Sequence, residues 1–338
     1  AVQATSNSVS AERAAWTVEL TRDKPEFEAG ETVTLTATAD QNVGATNGSY
    51  RIYIYDVTTD AQLAACAYGA TCSVEARFYT GGSRQYRAVV APFVASNASW
   101  ATVQATAVQA TSNSVSAERA AWTVQLTQDR SEFRAGETVT LTATADQNVG
   151  ATNGSYQIYI YDITADEPVV SCAYGLTCTV QTRFYTGGPH QYRAVVAPFV
   201  ANNAPWATVQ ATAVQATSNT VWAKRADWSV SLTTSIPQGA PITPLMPFSL
   251  VAAANQDVNF TNGHYSIFIE DLATGAIIAR CDSGEICAVT LTAGDGRIPH
   301  VYQGLVAKRT GFTQDFTDIQ NVSSQRKQAP VGYGVSDV

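Results

Sequence analysis

Three observations predict that this chain is an all-β protein made of three tandem antiparallel β-sandwiches. The string VQATSNSVSAERAAW occupies residues 2–16 and returns unchanged at 108–122, with a looser copy at 214–228. Thr, Val and Tyr, which favour strands over helices, are abundant in the chain. Short apolar stretches alternate with polar residues at a period of two, as they do in half-buried strands.

The repeat has the length of a whole domain. Trp16, Trp122 and Trp228 are spaced by 106 residues along the chain. Residues 1–106 and 107–212 differ at about 21 positions, whereas the third copy is diverged and gains three residues within SIPQGAPITPLMPF. A period of this length is too long for a solenoid repeat and is typical of an autonomous sandwich.

Each repeat contains about seven predicted strands, separated by turn signals such as NG and GG. In ETVTLTATAD, the apolar residues Val33, Leu35 and Ala37 alternate with threonines. Further strand candidates are YRIYIYD, QLAAC, CSVEARFY, QYRAVVAP and the long ATVQATAVQATSNSV. No stretch has a helical period, so the sequence predicts antiparallel sandwiches without helices.

The domain boundaries are predicted just before each repeated Trp. The complete domains are residues 14–119 and 120–225, followed by a diverged domain at 226–328 and a C-terminal tail at 329–338. Residues 1–13 match the last strand of a repeat. They are predicted to be either a remnant of a preceding, absent repeat or a strand that pairs with another chain.

The connection SAERAAW between neighbouring domains contains no Gly and no Pro. It is too short to act as a flexible linker, which predicts a stiff row of domains. Arg13, Arg119 and Arg225 recur in this connection. We predict that they either tie adjacent domains together by hydrogen bonds or are solvated arginines at strand ends.

Six cysteines form three matched pairs, each with five residues between the cysteines and a central Gly. This spacing predicts three local disulfides, each closing a hairpin loop within its own repeat and contributing about 2 kcal/mol. Disulfides indicate an extracellular or cell-surface location. The predicted pairs are Cys66 with Cys72, Cys172 with Cys178, and Cys281 with Cys287.

The repeat resembles the tandem immunoglobulin-like modules of secreted and cell-surface bacterial proteins, particularly those of actinobacteria. The resemblance is carried by the opening WTVEL, the Thr-rich AGETVTLTATADQNVG, the strand IYIYDVTT and the short Cys loop. It implies a stalk, a spacer or an adhesive array, and it names no ligand. The third copy departs from the pattern by losing AGE and gaining prolines.

Composition argues against several classes of function. The formal net charge is −8 and no basic run exists, so a nucleic-acid partner is not expected. Membrane insertion is not expected either, because no run of eighteen apolar residues occurs. His190, His264 and His300 do not align between the copies, which leaves no repeated catalytic triad. We predict no enzymatic activity, no cofactor and no metal site.

One acidic residue persists in all three copies. Asp56, Asp162 and Asp271 each end the strand that begins with Tyr, where an Asp ordinarily caps a turn. Calcium needs six to eight oxygens, usually from clustered acids, and such clusters are absent from the sequence. These residues are therefore predicted to be structural.

Two functions are compatible with these features. The first is a non-enzymatic extracellular structural array, a stalk, spacer or fibre, whose partners are neighbouring repeats of the same protein. The alternative is an adhesin, or a module that binds a glycan or a surface protein through exposed tyrosines. If the tyrosines instead pack under neighbouring loops, this alternative loses its platform. The candidate binding patch is Arg51, Tyr53 and Tyr55, repeated as Gln157, Tyr159 and Tyr161.

Overall fold

The computed structural model describes residues 13–106, 108–185, 189–201, 204–212, 214–237, 240, 243–294, 300–308 and 327–332. All structural descriptions concern these residues. Residues 1–12 of the predicted N-terminal strand and residues 333–338 of the predicted tail lie outside them.

The first sandwich consists of two sheets. One sheet has the strand order β1-β3-β6, and the other has the order β2-β9-β7-β4-β5, with β8 beside β7. All pairs are antiparallel except β2 with β9, which is parallel. The strands are β1 (Val18–Arg22), β2 (Glu26–Phe27), β3 (Val33–Ala39), β4 (Tyr50–Asp56), β5 (Ala61–Cys66), β6 (Thr71–Ala76), β7 (Gly82–Pro92), β8 (Ala110–Thr111) and β9 (Val115–Arg119).

The second sandwich repeats this arrangement 106 residues later. Val124 pairs with Ala145 as Val18 pairs with Ala39, and the two sheet orders are the same. Its strands are β10 (Val124–Gln128), β11 (Glu132–Phe133), β12 (Val139–Ala145), β13 (Tyr156–Asp162), β14 (Glu167–Cys172), β15 (Thr177–Thr182), β16 (Pro189–Pro198), β17 (Ala216–Thr217) and β18 (Val221–Arg225).

The third sandwich has the sheet orders β19-β20-β23 and β22-β21-β24-β25. Within its described residues, no strand corresponds to β2 or β11. Strand β25 crosses the boundary expected between residues 328 and 329, and it pairs with residues 301–306 of β24. The strands are β19 (Val230–Thr234), β20 (Pro247–Ala254), β21 (Tyr265–Asp271), β22 (Ala276–Cys281), β23 (Ile286–Thr292), β24 (Val301–Lys308) and β25 (Lys327–Gly332).

The chain is therefore an all-β protein of antiparallel, immunoglobulin-like sandwiches, as the sequence predicts. Successive strands are divided between two facing sheets in the manner of that fold. Each sandwich has its own core between the sheets. The alternation in β3 buries Val33, Leu35 and Ala37, and Trp16 closes one end of the core next to the ring of Tyr50.

The prediction of one long strand at ATVQATAVQATSNSV is wrong for its first residues, which are helical. Helix α1 (Trp100–Gln104) and helix α2 (Trp206–Gln210) occupy the WATVQ segments. The hydroxyl of Ser99 caps α1 by accepting a hydrogen bond from the Thr102 amide at 3.1 Å. Five residues are too few to display a helical period, so the sequence pattern gave no signal for either helix.

The three disulfides are confirmed, but they do not close hairpins. Cys66 lies on β5 in one sheet and Cys72 lies on β6 in the other, with 5.6 Å between their Cα atoms. The other two pairs repeat this arrangement. Each bridge thus fastens the edge of one sheet to the edge of the sheet that faces it.

We expect the double substitution Cys66→Ser and Cys72→Ser to lower the free energy of unfolding of the first sandwich by about 2 kcal/mol, because a short loop loses its constraint in the unfolded chain. Urea denaturation of the full chain measures this change. Ser73→Ala is the control, since that hydroxyl makes only an exposed hydrogen bond to Thr36. Equal stability of the double variant and the control would contradict the expectation.

Candidate functional site

The tyrosines of the candidate binding patch are buried, which agrees with the reading that they pack under a neighbouring segment and rules out an exposed platform at these positions. Tyr53 and Tyr55 are 1% and 0% exposed, and Tyr159 and Tyr161 are 3% and 0% exposed. Strand β4 lies in the middle of its sheet, and its second face is covered by the segment that contains α1. Side chains on both faces of β4 are therefore core.

The phenol groups of these tyrosines hold the covering segment in place. Tyr55 donates a hydrogen bond to the Ala98 carbonyl at 2.8 Å, and its ring packs against Trp100 at 5.4 Å between centroids. The Tyr53 hydroxyl accepts from the Val94 amide at 3.0 Å. Burial raises the pKa of Tyr55 to about 12.

Arg51 and Gln157, the other members of the patch, are half-buried. The guanidinium of Arg51 lies 4.3 Å from the ring centre of Phe93, which is 56% exposed. Among the described residues, the most exposed aromatic side chains lie elsewhere, at the tips of the disulfide loops, where Tyr68 and Tyr174 are 79% and 76% exposed. Their recurrence in CAYG was the available sequence signal, and only the structure shows that they face solvent.

The first and second sandwiches meet at a joint, which we define as the contacts between the end of one sandwich and the beginning of the next. The side-chain carbonyl of Gln147 accepts from the Ala29 amide at 2.9 Å and from Arg119 Nη1 at 3.2 Å. The side-chain carbonyl of Gln215 accepts from the Gly81 amide at 2.8 Å and from Arg119 Nη2 at 3.1 Å. Two glutamines of the second sandwich thus bind three groups of the first.

Arg119 is fully buried in this joint. Its guanidinium lies 5.2 Å from the ring centre of Trp122, and burial lowers its pKa. Arginine remains protonated in proteins, so the joint contains a buried positive charge held by amide oxygens and an aromatic face. Removal of either partner would leave that charge poorly solvated.

The joint between the second and third sandwiches uses equivalent residues. The side-chain carbonyl of Gln256 accepts from the Ala135 amide at 2.9 Å. Arg225 is buried and lies over the rings of Trp228 at 4.8 Å and Tyr265 at 4.6 Å. Of the three arginines singled out in the sequence, the structure places these two arginines in joints.

Glycine is required where the sandwiches approach most closely. Gly30 has a φ of +88°, and a Cβ there would lie 2.6 Å from the Cβ of Ala151 in the next sandwich. Gly136 has a φ of +87°, and its Cβ would lie 2.7 Å from Cγ of Phe260. Both positive φ and the lack of space therefore select glycine.

Arg13, at the beginning of the first sandwich, is the counterpart in the repeat of Arg119 and Arg225. It lies 4.6 Å from the ring centre of Trp16 and is exposed. Nearby, the Gln41 side-chain amide donates to the Ala14 and Ala15 carbonyls at 3.2 and 3.3 Å, as Gln147 does to its own neighbours. Within the described part of the chain, the carbonyl oxygen of Gln41 accepts no hydrogen bond.

Two histidines do recur, contrary to the expectation from sequence. His190 lies 2.5 Å from Asp162, and His300 lies 2.7 Å from Asp271, each through Nδ1. The alignment misses this because the third copy gains one further residue before β24. In the first sandwich Arg84 takes this place, at 2.8 Å from Asp56.

The persistent aspartates also cap turns, as predicted. Oδ1 of Asp56 accepts from the Thr58 and Thr59 amides at 3.0 and 3.2 Å. Burial raises the pKa of Asp271, but hydrogen bonds from His300, Thr274 and the Ala273 amide outweigh that effect, and the net shift is downward. The carboxylate is therefore charged beside its histidine.

The described residues contain no group of three or more His, Cys, Asp or Glu side chains placed to hold a metal ion. None of the helices in the described ranges has the length and apolar character needed to cross a membrane.

No protein-family model matches the chain, and no curated protein matches it. Among solved structures, it is similar to the Escherichia coli adhesin FdeC, with a TM-score of 0.31, 15% identity and coverage of 93% of this chain and 95% of that one. It is also similar to a Corynebacterium diphtheriae protein described as membrane anchored, with a TM-score of 0.27, 10% identity and coverage of 95% of this chain and 93% of that one. The comparison with the mouse nectin-like molecule 4 ectodomain has a TM-score of 0.27 and 11% identity, and it covers 91% of this chain and 96% of that one. TM-scores this low carry no argument about function.

We expect Gln147→Ala to destabilise the chain more than the matched Gln41→Ala. Both changes remove hydrogen bonds to carbonyls within one sandwich, but only Gln147→Ala leaves the Ala29 amide and Arg119 Nη1 without their acceptor, while Arg119 Nη2 keeps its bond to Gln215. The additional cost is about 1–3 kcal/mol.

Calorimetric unfolding of the two variants measures the difference. We expect the transitions of the first and second sandwiches to separate in Gln147→Ala and to stay together in Gln41→Ala. Identical thermograms would show that the joint contributes nothing to the coupling of the sandwiches.

Proposed function

We propose that the chain is a non-enzymatic, extracellular structural array whose joints fix the spacing and direction of successive sandwiches. The observation that carries the proposal is the joint around Arg119, where glutamine side chains of the second sandwich accept hydrogen bonds from donors of the first. Three disulfides support a site of action in an oxidising environment outside the cell.

The joints support a spacer because they restrain rotation between sandwiches. Hydrogen bonds to the Ala29 and Gly81 amides act at two separate places on the same interface. Close packing at Gly30 acts at a third. Three separated contacts define an orientation, whereas a single contact would leave a pivot. Such an array holds its two ends at a set distance and direction without needing a ligand.

The beginning of the first sandwich supports extension of the array in that direction. Gln41 is the counterpart of Gln147 and Gln256, whose side-chain carbonyls bind the preceding sandwich in the two joints. Arg13, the counterpart of Arg119 and Arg225, is exposed beside it. This surface therefore fits the end of another sandwich that carries an Ala-Gly turn like Ala29 and Gly30. The neighbour is another module of the same polypeptide or of a second copy.

The far end of the third sandwich is different. Leu245 holds the position of Gly136, keeps a positive φ of 68° and is 80% exposed. A side chain at this position would collide with a following sandwich, because even a Cβ on Gly136 would lie 2.7 Å from its neighbour. We infer that the third sandwich terminates this type of joint.

We expect Gly30→Ala to change the geometry of the first joint, and Gly48→Ala to leave it unchanged. Both residues have positive φ, but a Cβ on Gly48 meets no atom within 4 Å. Each substitution costs about 1–2 kcal/mol of backbone strain. Only Gly30→Ala must also push the sandwiches apart.

Electron paramagnetic resonance distances between spin labels at the exposed positions Glu75 and Gln181, introduced as unnatural amino acids, test this. A narrow distribution in the wild type and in Gly48→Ala, with a broadened or shifted one in Gly30→Ala, supports the proposal. A broad distribution in the wild type would refute a fixed spacer.

A second candidate function is adhesion, and the exposure of Tyr68 and Tyr174 favours it. Each ring stands on a loop pinned by a disulfide, and repetition of a weak site raises avidity. The third sandwich carries Ser283 at this position.

We therefore expect Tyr68→Ser with Tyr174→Ser to reduce binding on a glycan array at least tenfold relative to the wild type. Tyr68→Phe with Tyr174→Phe, which keeps the rings, is the control. Absence of any glycan signal from the wild-type chain would remove glycan adhesion as a candidate.

A further inference from the structure

Two phenylalanines fill one corner of the core in each of the first two sandwiches. Phe27 and Phe78 pack edge to face with 4.9 Å between ring centres, and Phe133 and Phe184 do so at 4.8 Å. The Phe184 ring also stacks on His190 at 3.8 Å. The corner is thus a set of aromatic rings against the side chain that pairs with the persistent aspartate.

The third sandwich lacks both phenylalanines. Phe248 pairs with Leu291 as Val139 pairs with Thr182, so Ala293 holds the place of Phe184. The strand that carries Phe133 has no counterpart among the described residues of this sandwich. His300 and Asp271 remain at 2.7 Å, without the ring that stacks on the equivalent histidine in the second sandwich.

The lost rings are replaced by a cavity of about 210 Å³. Phe248 is larger than its counterpart Val139 and occupies part of the space, with its ring 6.1 Å from that of Tyr302. The cavity remains open to one side and has an apolar interior with a polar wall. Its apolar lining includes Ile236, Phe248, Ile278, Leu291 and Ala293, and its polar wall is Asp271, His300 and Tyr302.

We propose that this cavity binds an aromatic ring, held against His300 where the Phe184 ring lies in the second sandwich. Apolar cavities of about 150 Å³ are known to bind benzene, so the volume is sufficient for a ring with a small substituent. His300 supplies a face for stacking, and its pair with Asp271 fixes the imidazole orientation. The apolar lining supplies the remainder of the contact surface.

The ring can come from a small aromatic molecule or from an aromatic side chain of another protein, since both present the same chemistry. The proposal is independent of the spacer function, because none of the cavity residues takes part in the joints described above. Variants of the joints and variants of the cavity are therefore expected to have separate effects.

The test is a titration of the full chain with phenol, followed by methyl NMR signals of Ile236, Ile278 and Leu291. We expect saturable shifts confined to these methyl groups. Ala293→Phe, which restores the residue found in the other sandwiches, is expected to weaken binding at least tenfold. Ala293→Leu provides a smaller filling residue if the Phe variant does not fold.

The second sandwich offers a reciprocal control. Phe184→Ala is expected to open a matching site beside His190 and to add a second set of saturable shifts, on Val169 and Val180. Shifts in the wild type that do not saturate, or that persist unchanged in a folded Ala293 variant, would overturn the proposal.

A second titration distinguishes the two sources of the ring. It uses a capped peptide, Gly-Gly-Phe-Gly-Gly, and its counterpart with Ala in place of Phe. Displacement of phenol by the Phe peptide alone supports recognition of a protein side chain. Binding of phenol without competition from either peptide supports a small aromatic ligand.

Discussion

At each joint, the side-chain amide of one glutamine links the connection between two sandwiches to their interface. The side chain of Gln147 donates to the Ala120 and Ala121 carbonyls of its own connection and accepts from the Ala29 amide and Arg119 of the preceding sandwich. Because one planar group serves both sides, the connection and the interface are oriented together. At the second joint, Gln256 likewise accepts from the Ala135 amide and donates to the Ala226 and Asp227 carbonyls, while Arg225 lies over the rings of Trp228 and Tyr265.

The sandwiches are uniform where they join and different where they end. The first two have near-identical sequences. In the third, Leu245 replaces the joint glycine, and Ala293 replaces a core phenylalanine. Both changes lie at the same end of the sandwich, since the Leu245 amide donates to the Ala293 carbonyl at 3.0 Å. Changes in two neighbouring segments at one end of the third sandwich thus remove a joint surface and open a cavity.

Whether the tyrosines could bind a ligand depends on whether their strand face is exposed. The sequence placed Tyr53 and Tyr55 correctly on a common strand face, but alternation alone does not say whether that face meets solvent. The covering segment reaches this face through a helix of five residues, too short to produce a periodic signal. In this strand, Ile52 and Ile54 on one face and the tyrosines on the other are all buried. Both sets of side chains are therefore core residues.

The sequence by itself determined the fold class, the repeat length and the cysteine pairs, because alternation, near-identity and spacing are local properties of the chain. It also identified Arg119 and Arg225 as residues of the connection. Only the tertiary structure decided that the disulfides join facing sheets, that these arginines are buried in joints, and that His190 and His300 are equivalent. These facts depend on contacts between residues far apart in sequence, which no local pattern encodes.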